Sequence, residues 1–135
     1  KTQRYKRPPK VPVSVIICAK NEAENLKNLI PELANQNYPS YEIIVVNDNS
    51  TDKTKEVVEE FQLIYSNLKL LSIRQVEAFW GNKKYALTLG IKSALHDHLL
   101  FTDADCIPIN NNWISEMSSK FDDQKSIVLG YSGYY

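Results

Sequence analysis

Hydrophobic and polar positions along the chain alternate between two rhythms. Val13 to Ala19 (VSVIICA) is an almost unbroken apolar, β-branched run. Such a run suits a strand buried on both faces, as in a parallel sheet. Helical spacing follows. Leu26, Leu29, Ile30 and Leu33 stand at i, i+3, i+4 and i+7, which predicts a helix from Ala23 to Gln36, stopped by Asn37 and Pro39. Tyr41 to Val46 reads as a second strand. Asp52 to Tyr65 reads as a second helix, with Val57, Val58, Phe61 and Ile64 on its apolar face and Ser50 or Thr51 as candidate caps. The pattern continues with a strand over Leu68 to Ile73 and a helix over Lys83 to Leu95, in which Ala86, Leu87, Leu89, Gly90, Ile91 and Ala94 are available to pack. A fourth strand, His98 to Thr102, precedes a helix from Trp113 to Phe121 capped by Asn112 or a neighbouring Asn, and Ser126 to Leu129 is a fifth strand. Strand–helix alternation with short links implies right-handed crossovers and an α/β fold on a mostly parallel sheet. Open sheets of this kind bind ligands at the carboxyl ends of their strands, so function is sought there.

Three of those ends are polar. Lys20-Asn21-Glu22 follows the first strand, Asn47-Asp48-Asn49-Ser50-Thr51-Asp52 the second, and Asp103-Ala104-Asp105 the fourth. Helix capping accounts for Ser50, Thr51 and Asp52 but not for the Asp103/Asp105 pair. Such a pair alone is a weak motif and reads first as a turn, but its place after the fourth strand, opposite the other strand-end acids, favours a chemical role; if the chain stays extended there, the two carboxylates point to the same side. They repel unless a proton or cation intervenes, and a hard ion such as Mg2+ or Mn2+ takes carboxylate oxygens. Lys83 and Lys84 open the third helix, and read either as surface lysines in a first turn or as an anion site made by a helix N-terminus plus lysine. His96 and His98 fall at the start of a strand, at the end of the sheet remote from the acids, and are expected to be structural.

Composition narrows the classes. The chain has 135 residues, 43% hydrophobic and 24% charged, which fits one globular domain rather than a disordered or fibrous segment. Lys+Arg and Asp+Glu number 16 each, which excludes a generally basic nucleic-acid binder. The balance is uneven, however: Lys1, Arg4, Lys6, Arg7 and Lys10 give residues 1–10 a charge of +5 and leave −5 for the rest. Residues 1–10 are therefore expected to be a basic leader, either a solvated tail or a cytosolic segment beside a membrane helix. The chain begins at Lys1 rather than Met, so an upstream segment is expected to have been removed. No apolar run approaches the ~20 residues that span a bilayer. Cys18 and Cys106 form no CxxC pair, and are expected to be buried free thiols in a reducing compartment rather than disulfide partners or metal ligands. None of the four glycines lies in the first strand-to-helix turn, so the GxGxxG fingerprint is missing, and neither a P-loop nor a GxSxG elbow occurs.

Taken in order, four motifs resemble family 2 glycosyltransferases, the inverting type with a GT-A (Rossmann-like) fold. Pro12 to Ile17 followed by Ala19-Lys20-Asn21-Glu22 is similar to their opening segment. Val45 to Thr54 is similar to their VDDgSTDxT segment, Lys83-Lys84-Tyr85-Ala86-Leu87 to GKaxAL, and Asp103 to Pro108 to DADxxP. The match runs from Val11 to about Leu129. Lys20 stands where tyrosine is common, Asn47 replaces an acid or hydrophobe, and Asn82 separates Gly81 from Lys83.

The resemblance implies that residues 11–135 bind a nucleotide-diphosphate sugar, with UDP-sugar as the expected donor. Ala19 and Glu22 would border base and ribose, Asp48 would hold the base, and Lys83 would lie near the diphosphate. Asp103 would face ribose and donor sugar, and Asp105 would ligate Mn2+ or Mg2+. The implied activity is metal-dependent transfer of the sugar to an acceptor hydroxyl, on a carbohydrate, a lipid-linked or another acceptor, with inversion. The family's catalytic base follows the fifth strand, so it is expected downstream of Tyr135, which makes this chain the donor-binding part, inactive alone. The expected location is the cytoplasm, or the cytosolic face of a membrane for a longer parent. Two other classes stand beside this one: a non-catalytic nucleotide-binding module, and a haloacid-dehalogenase-like phosphatase with Asp103 as nucleophile.

Overall fold

The computed structural model describes residues 11–73, 82–120 and 126–129; the side chains of residues 82–84 and 126–129 lie outside that description. So do the basic leader, Trp80, Gly81, Phe121 and Tyr131–Tyr135. The elements run β1 (Val13–Ala19), α1 (Ala23–Ala34), β2 (Tyr41–Asp48), α2 (Thr54–Gln62), β3 (Leu68–Ile73), α3 (Asn82–Ser93), β4 (His98–Asp103), α4 (Trp113–Ser118) and β5 (Ser126–Leu129). The five strands form one sheet in the order β3-β2-β1-β4-β5. Every pairing is parallel. The expected α/β architecture is present. None of the described helices is long and apolar enough to cross a membrane.

β1 is central and buried on both faces. Val13, Val15, Ile17 and Ala19 pack with Leu26, Leu29, Ile30 and Leu33 of α1, Val57 and Val58 of α2, and Trp113, Ile114 and Met117 of α4. Ile16, with Ile44, Val46, Ile73 and Phe101, packs on the other face against Ala86, Tyr85, Leu87 and Leu89 of α3. Strand alternation thus divides one apolar run between two cores. α3 lies close to the sheet at Gly90. A Cβ placed there would stand 2.6 Å from Cγ2 of Ile16.

The helices are shorter than their periodicity predicts, and polar side chains explain two of the ends. α1 stops at Ala34 because Gln36 turns toward α4: its Nε2 donates to the carbonyls of Glu32 (3.2 Å) and Asn110 (3.0 Å), and its Oε1 accepts from Ile114 N–H (2.9 Å). Gln36 therefore caps α4, while Asn112 occupies the cap position without a capping side-chain bond. Asp52 stays outside α2 and accepts from Thr54 instead. Ile64, expected on the apolar face of α2, follows the helix and is 68% exposed. β2 runs two residues past Val46, because Asn47 and Asp48 continue the ladder with Ser72 and Ile73 of β3.

A buried polar cluster ties α3 to the amino end of the sheet. Glu42 is 4% exposed. Its Oε2 accepts from Ser14 Oγ (2.6 Å) and Leu95 N–H (2.7 Å), and Lys69 Nζ pairs with its Oε1 at 2.8 Å. His96 N–H donates to Ser14 Oγ, which places His96 in this structural cluster. Burial pushes the Glu42 carboxyl up, but hydrogen bonds from Leu95, Lys69 and Ser14 outweigh it and hold the group below its ordinary value.

Two predictions follow from this packing. Gly90→Ala should lower stability by about 1–3 kcal/mol by overpacking against Ile16, although alanine is the better helix former by ~1 kcal/mol; an unchanged or higher urea midpoint would show that Ile16 yields. Because the folded carboxyl of Glu42 titrates below its unfolded value, the stability that it contributes is complete above the unfolded value, about pH 4–5, and is lost as pH falls through the folded one. Glu42→Gln should cost about 1–3 kcal/mol near pH 7, and urea midpoints of the two proteins should converge on acidification.

Candidate functional site

A cleft of about 300 Å³ opens at the carboxyl ends of β1, β2 and β4, lined by Cys18, Ala19, Lys20, Glu22, Asp48, Asp103, Ala104 and Asp105. Parallel register builds it: Ala19 pairs with Asn47, and Cys18 with Asp103. Five of the six residues singled out above, namely Ala19, Glu22, Asp48, Asp103 and Asp105, therefore lie together. The sixth, Lys83, stands in the first turn of α3, and its side chain lies outside the described residues.

Asn21 holds the first two loops side by side. Its Oδ1 accepts from Thr51 N–H (2.7 Å) and Asp52 N–H (3.1 Å), and its own N–H donates to Ser50 Oγ (2.9 Å). Glu22 N–H donates to Thr54 Oγ1 at 3.0 Å, and Ala23 N–H to Asp52 Oδ2 at 3.2 Å. One carboxylate thus serves the start of both α1 and α2, with Thr54 bridging. Burial pushes the Asp52 carboxyl up, but hydrogen bonds from the Thr54 hydroxyl, Thr54 N–H and Ala23 N–H bring it below its ordinary value. Ser50 and Thr51, expected as helix caps, instead bond to Asn21. Asn21 and Asn49 adopt left-handed backbone, with φ of 56° and 55°. Asparagine tolerates that conformation better than most residues. Sequence reasoning missed the clamp; an Asn at each of two adjacent strand-to-helix turns was the available signal.

Asp48 ends β2 and is 6% exposed, and its Oδ1 is buried without a hydrogen-bond partner among the described residues. A buried orphan acceptor costs about 1–3 kcal/mol, so a donor from a ligand is its natural complement. On the opposite side of the cleft the chain does not remain extended past Asp103. Cys106 N–H closes a turn onto the Asp103 carbonyl at 3.2 Å. This turn, rather than strand alternation, gathers one ligand atom each from Asp103, Asp105 and Cys106 within 4.8 Å of one another. Two carboxylate oxygens at that spacing, one carboxylate exposed, fit the donor chemistry of Mn2+ or Mg2+. Neither Cys18 nor Cys106 is in a disulfide, and both are half-buried rather than fully buried. The thiol of Cys106 donates to Asp105 Oδ1 at 3.5 Å. The absence of a CxxC pair hid this proximity, since the turn, not that spacing, creates it.

The model for glycosyl transferase family 2 matches residues 14–135. Glycosyltransferase AglE of Haloferax volcanii is 36% identical over 104 residues, a match covering 76% of this chain and 33% of that protein. The crystal structure of residues 1–349 of TarS from Staphylococcus aureus, in complex with UDP-GlcNAc, superposes with a TM-score of 0.66 at 28% identity, over 79% of this chain and 30% of that one. The mannosyltransferase PcManGT of Pyrobaculum calidifontis, in complex with GDP-Man and Mn2+, superposes with a TM-score of 0.74 at 23% identity, over 90% of this chain and 38% of its own; at that identity it speaks for the fold alone. The chain spans one-third or less of the curated relatives AglE and TarS. A family match over nearly the whole length and a shared sheet agree: the chain belongs to glycosyl transferase family 2 and has the GT-A fold.

Proposed function

We propose that this chain is the donor-binding part of a transferase that moves a sugar from a nucleoside diphosphate, UDP in the first instance, to an acceptor hydroxyl with inversion. The observation that carries the reading is the buried Oδ1 of Asp48, an acceptor without a partner among the described residues, at the edge of a cleft lined by acids. Uracil offers one ring N–H, which a carboxylate can accept. Ala19, small and at the end of β1, leaves room for the base, and Glu22 is positioned by the Asn21 clamp to border the ribose. UDP-GlcNAc in the TarS complex supports uracil as the base.

Asp105 would hold a divalent ion, with Asp103 turned toward ribose and donor sugar and Lys83 toward the diphosphate. That ion would neutralise charge on the leaving diphosphate. Asp105 would keep it at the end of the cleft across from Asp48, so base and diphosphate would be read by different strands. The phosphatase alternative is disfavoured, because its nucleophile belongs on the first strand and Asp103 ends β4.

Calorimetric titration tests the two halves separately. Asp48→Asn should weaken UDP at least tenfold with or without Mn2+, the loss of a hydrogen bond to a charged group being worth about 1.5–3 kcal/mol. Asp105→Ala should remove only the increment that Mn2+ adds. Equal UDP affinity in wild type and Asp48→Asn would overturn the base assignment, and tighter GDP than UDP would overturn the choice of uridine.

A further inference from the structure

We propose that Cys106 is a sulfur donor to the ion held by Asp105, and that it tilts the site toward thiophilic ions, Zn2+ and Cd2+, over Mg2+ and Mn2+. The proposal rests on reading Asp105 as a metal ligand and adds a donor of different chemistry. Three observations carry it. The turn closed by Cys106 N–H on the Asp103 carbonyl returns the chain, so that ligand atoms of Asp103, Asp105 and Cys106 lie within 4.8 Å of one another. The Cys106 sulfur stands 3.5 Å from Asp105 Oδ1. A tetrahedral zinc with bonds of about 2.3 Å to sulfur and 2.0–2.2 Å to oxygen holds those two atoms roughly 3.5–3.7 Å apart, so both can reach one ion with little movement. Independently, the buried Oδ1 of Asp48, without a partner among the described residues, lines the same cleft and calls for a ligand donor, so the trio borders a space suited to a ligand rather than an idle surface.

Softness supplies the selectivity. Carboxylate and water suit Mg2+ and Mn2+, whereas thiolate suits zinc and its heavier congener. On coordination the Cys106 thiol loses its proton to solvent and the sulfur lone pair forms the new bond. Cys18 also lines the cleft, but it belongs to β1 and is not in the trio.

The test uses the 135-residue chain with Cd2+ and Mn2+ as probes. Cd2+ binding is followed by the ultraviolet thiolate-to-cadmium charge-transfer band, and Mn2+ binding by paramagnetic resonance, in wild type, Cys106→Ser, Cys18→Ser and Asp105→Ala, with circular dichroism to check folding. The expected result is a charge-transfer band in wild type and Cys18→Ser that is missing in folded Cys106→Ser, with the Cd2+-to-Mn2+ affinity ratio at least tenfold lower in Cys106→Ser. Should Cys106→Ser fail to fold, protection of the wild-type Cys106 thiol from iodoacetamide by stoichiometric Cd2+ carries the test. A band that follows Cys18, an unchanged affinity ratio, or a Cys106 alkylated equally fast with Cd2+ overturns the proposal and leaves the donor-site reading intact. Failure of wild type to bind Mn2+ with UDP present overturns Asp105 as the metal ligand instead.

Discussion

Burial of β1 on both faces is the constraint from which the rest of the architecture follows. A strand covered by α1, α2 and α4 on one side and α3 on the other has its neighbours' register fixed, because a one-residue slip would exchange the contents of the two cores. Fixed register brings Ala19 beside Asn47 and Cys18 beside Asp103. The acids of the cleft are neighbours because hydrophobic side chains further down the strands leave them no alternative. Packing places the chemistry.

Polar side chains finish what packing starts, and they do so at both ends of the sheet. At the amino end, Glu42 collects Ser14, Leu95 and Lys69 and ties the exit of α3 to the sheet. At the carboxyl end, Asn21 and Asp52 bind two loops that have no regular structure of their own. The two clusters differ in purpose. The first has every charge answered within the protein, as a structural cluster requires. The second lies beside the cleft, where Asp48 has an oxygen without a partner among the described residues.

Strand positions, sheet class and convergence of the polar strand ends were legible in the sequence because each rests on a short-range signal. β1 needs only its own seven residues to be read as buried, and Asp103 and Asp105 stand out by following an apolar strand directly. The helix ends were not legible, since they depend on distant partners. Gln36 leaves α1 in order to cap a helix 78 residues away. Asp52 reads as the first residue of α2 until Ala23 is seen to need its other oxygen. Cys106 escaped for a related reason: its relation to Asp105 is a property of a turn, and pairwise cysteine spacing carries no information about turns.

The same Gln36 has an effect on the loop that carries Asp105. That loop leaves β4 at Asp103 and is held at its far end by the Asn110 carbonyl, which accepts from Gln36, and by the Asn111 carbonyl, which accepts from Asn37 N–H. Six residues lie between the two anchors. A segment tethered at both ends samples few arrangements, so much of the configurational entropy that an ion or diphosphate would otherwise remove on binding has already been surrendered during folding. An ion held by Asp105 would in this sense owe part of its affinity to an amide just past the carboxyl end of α1.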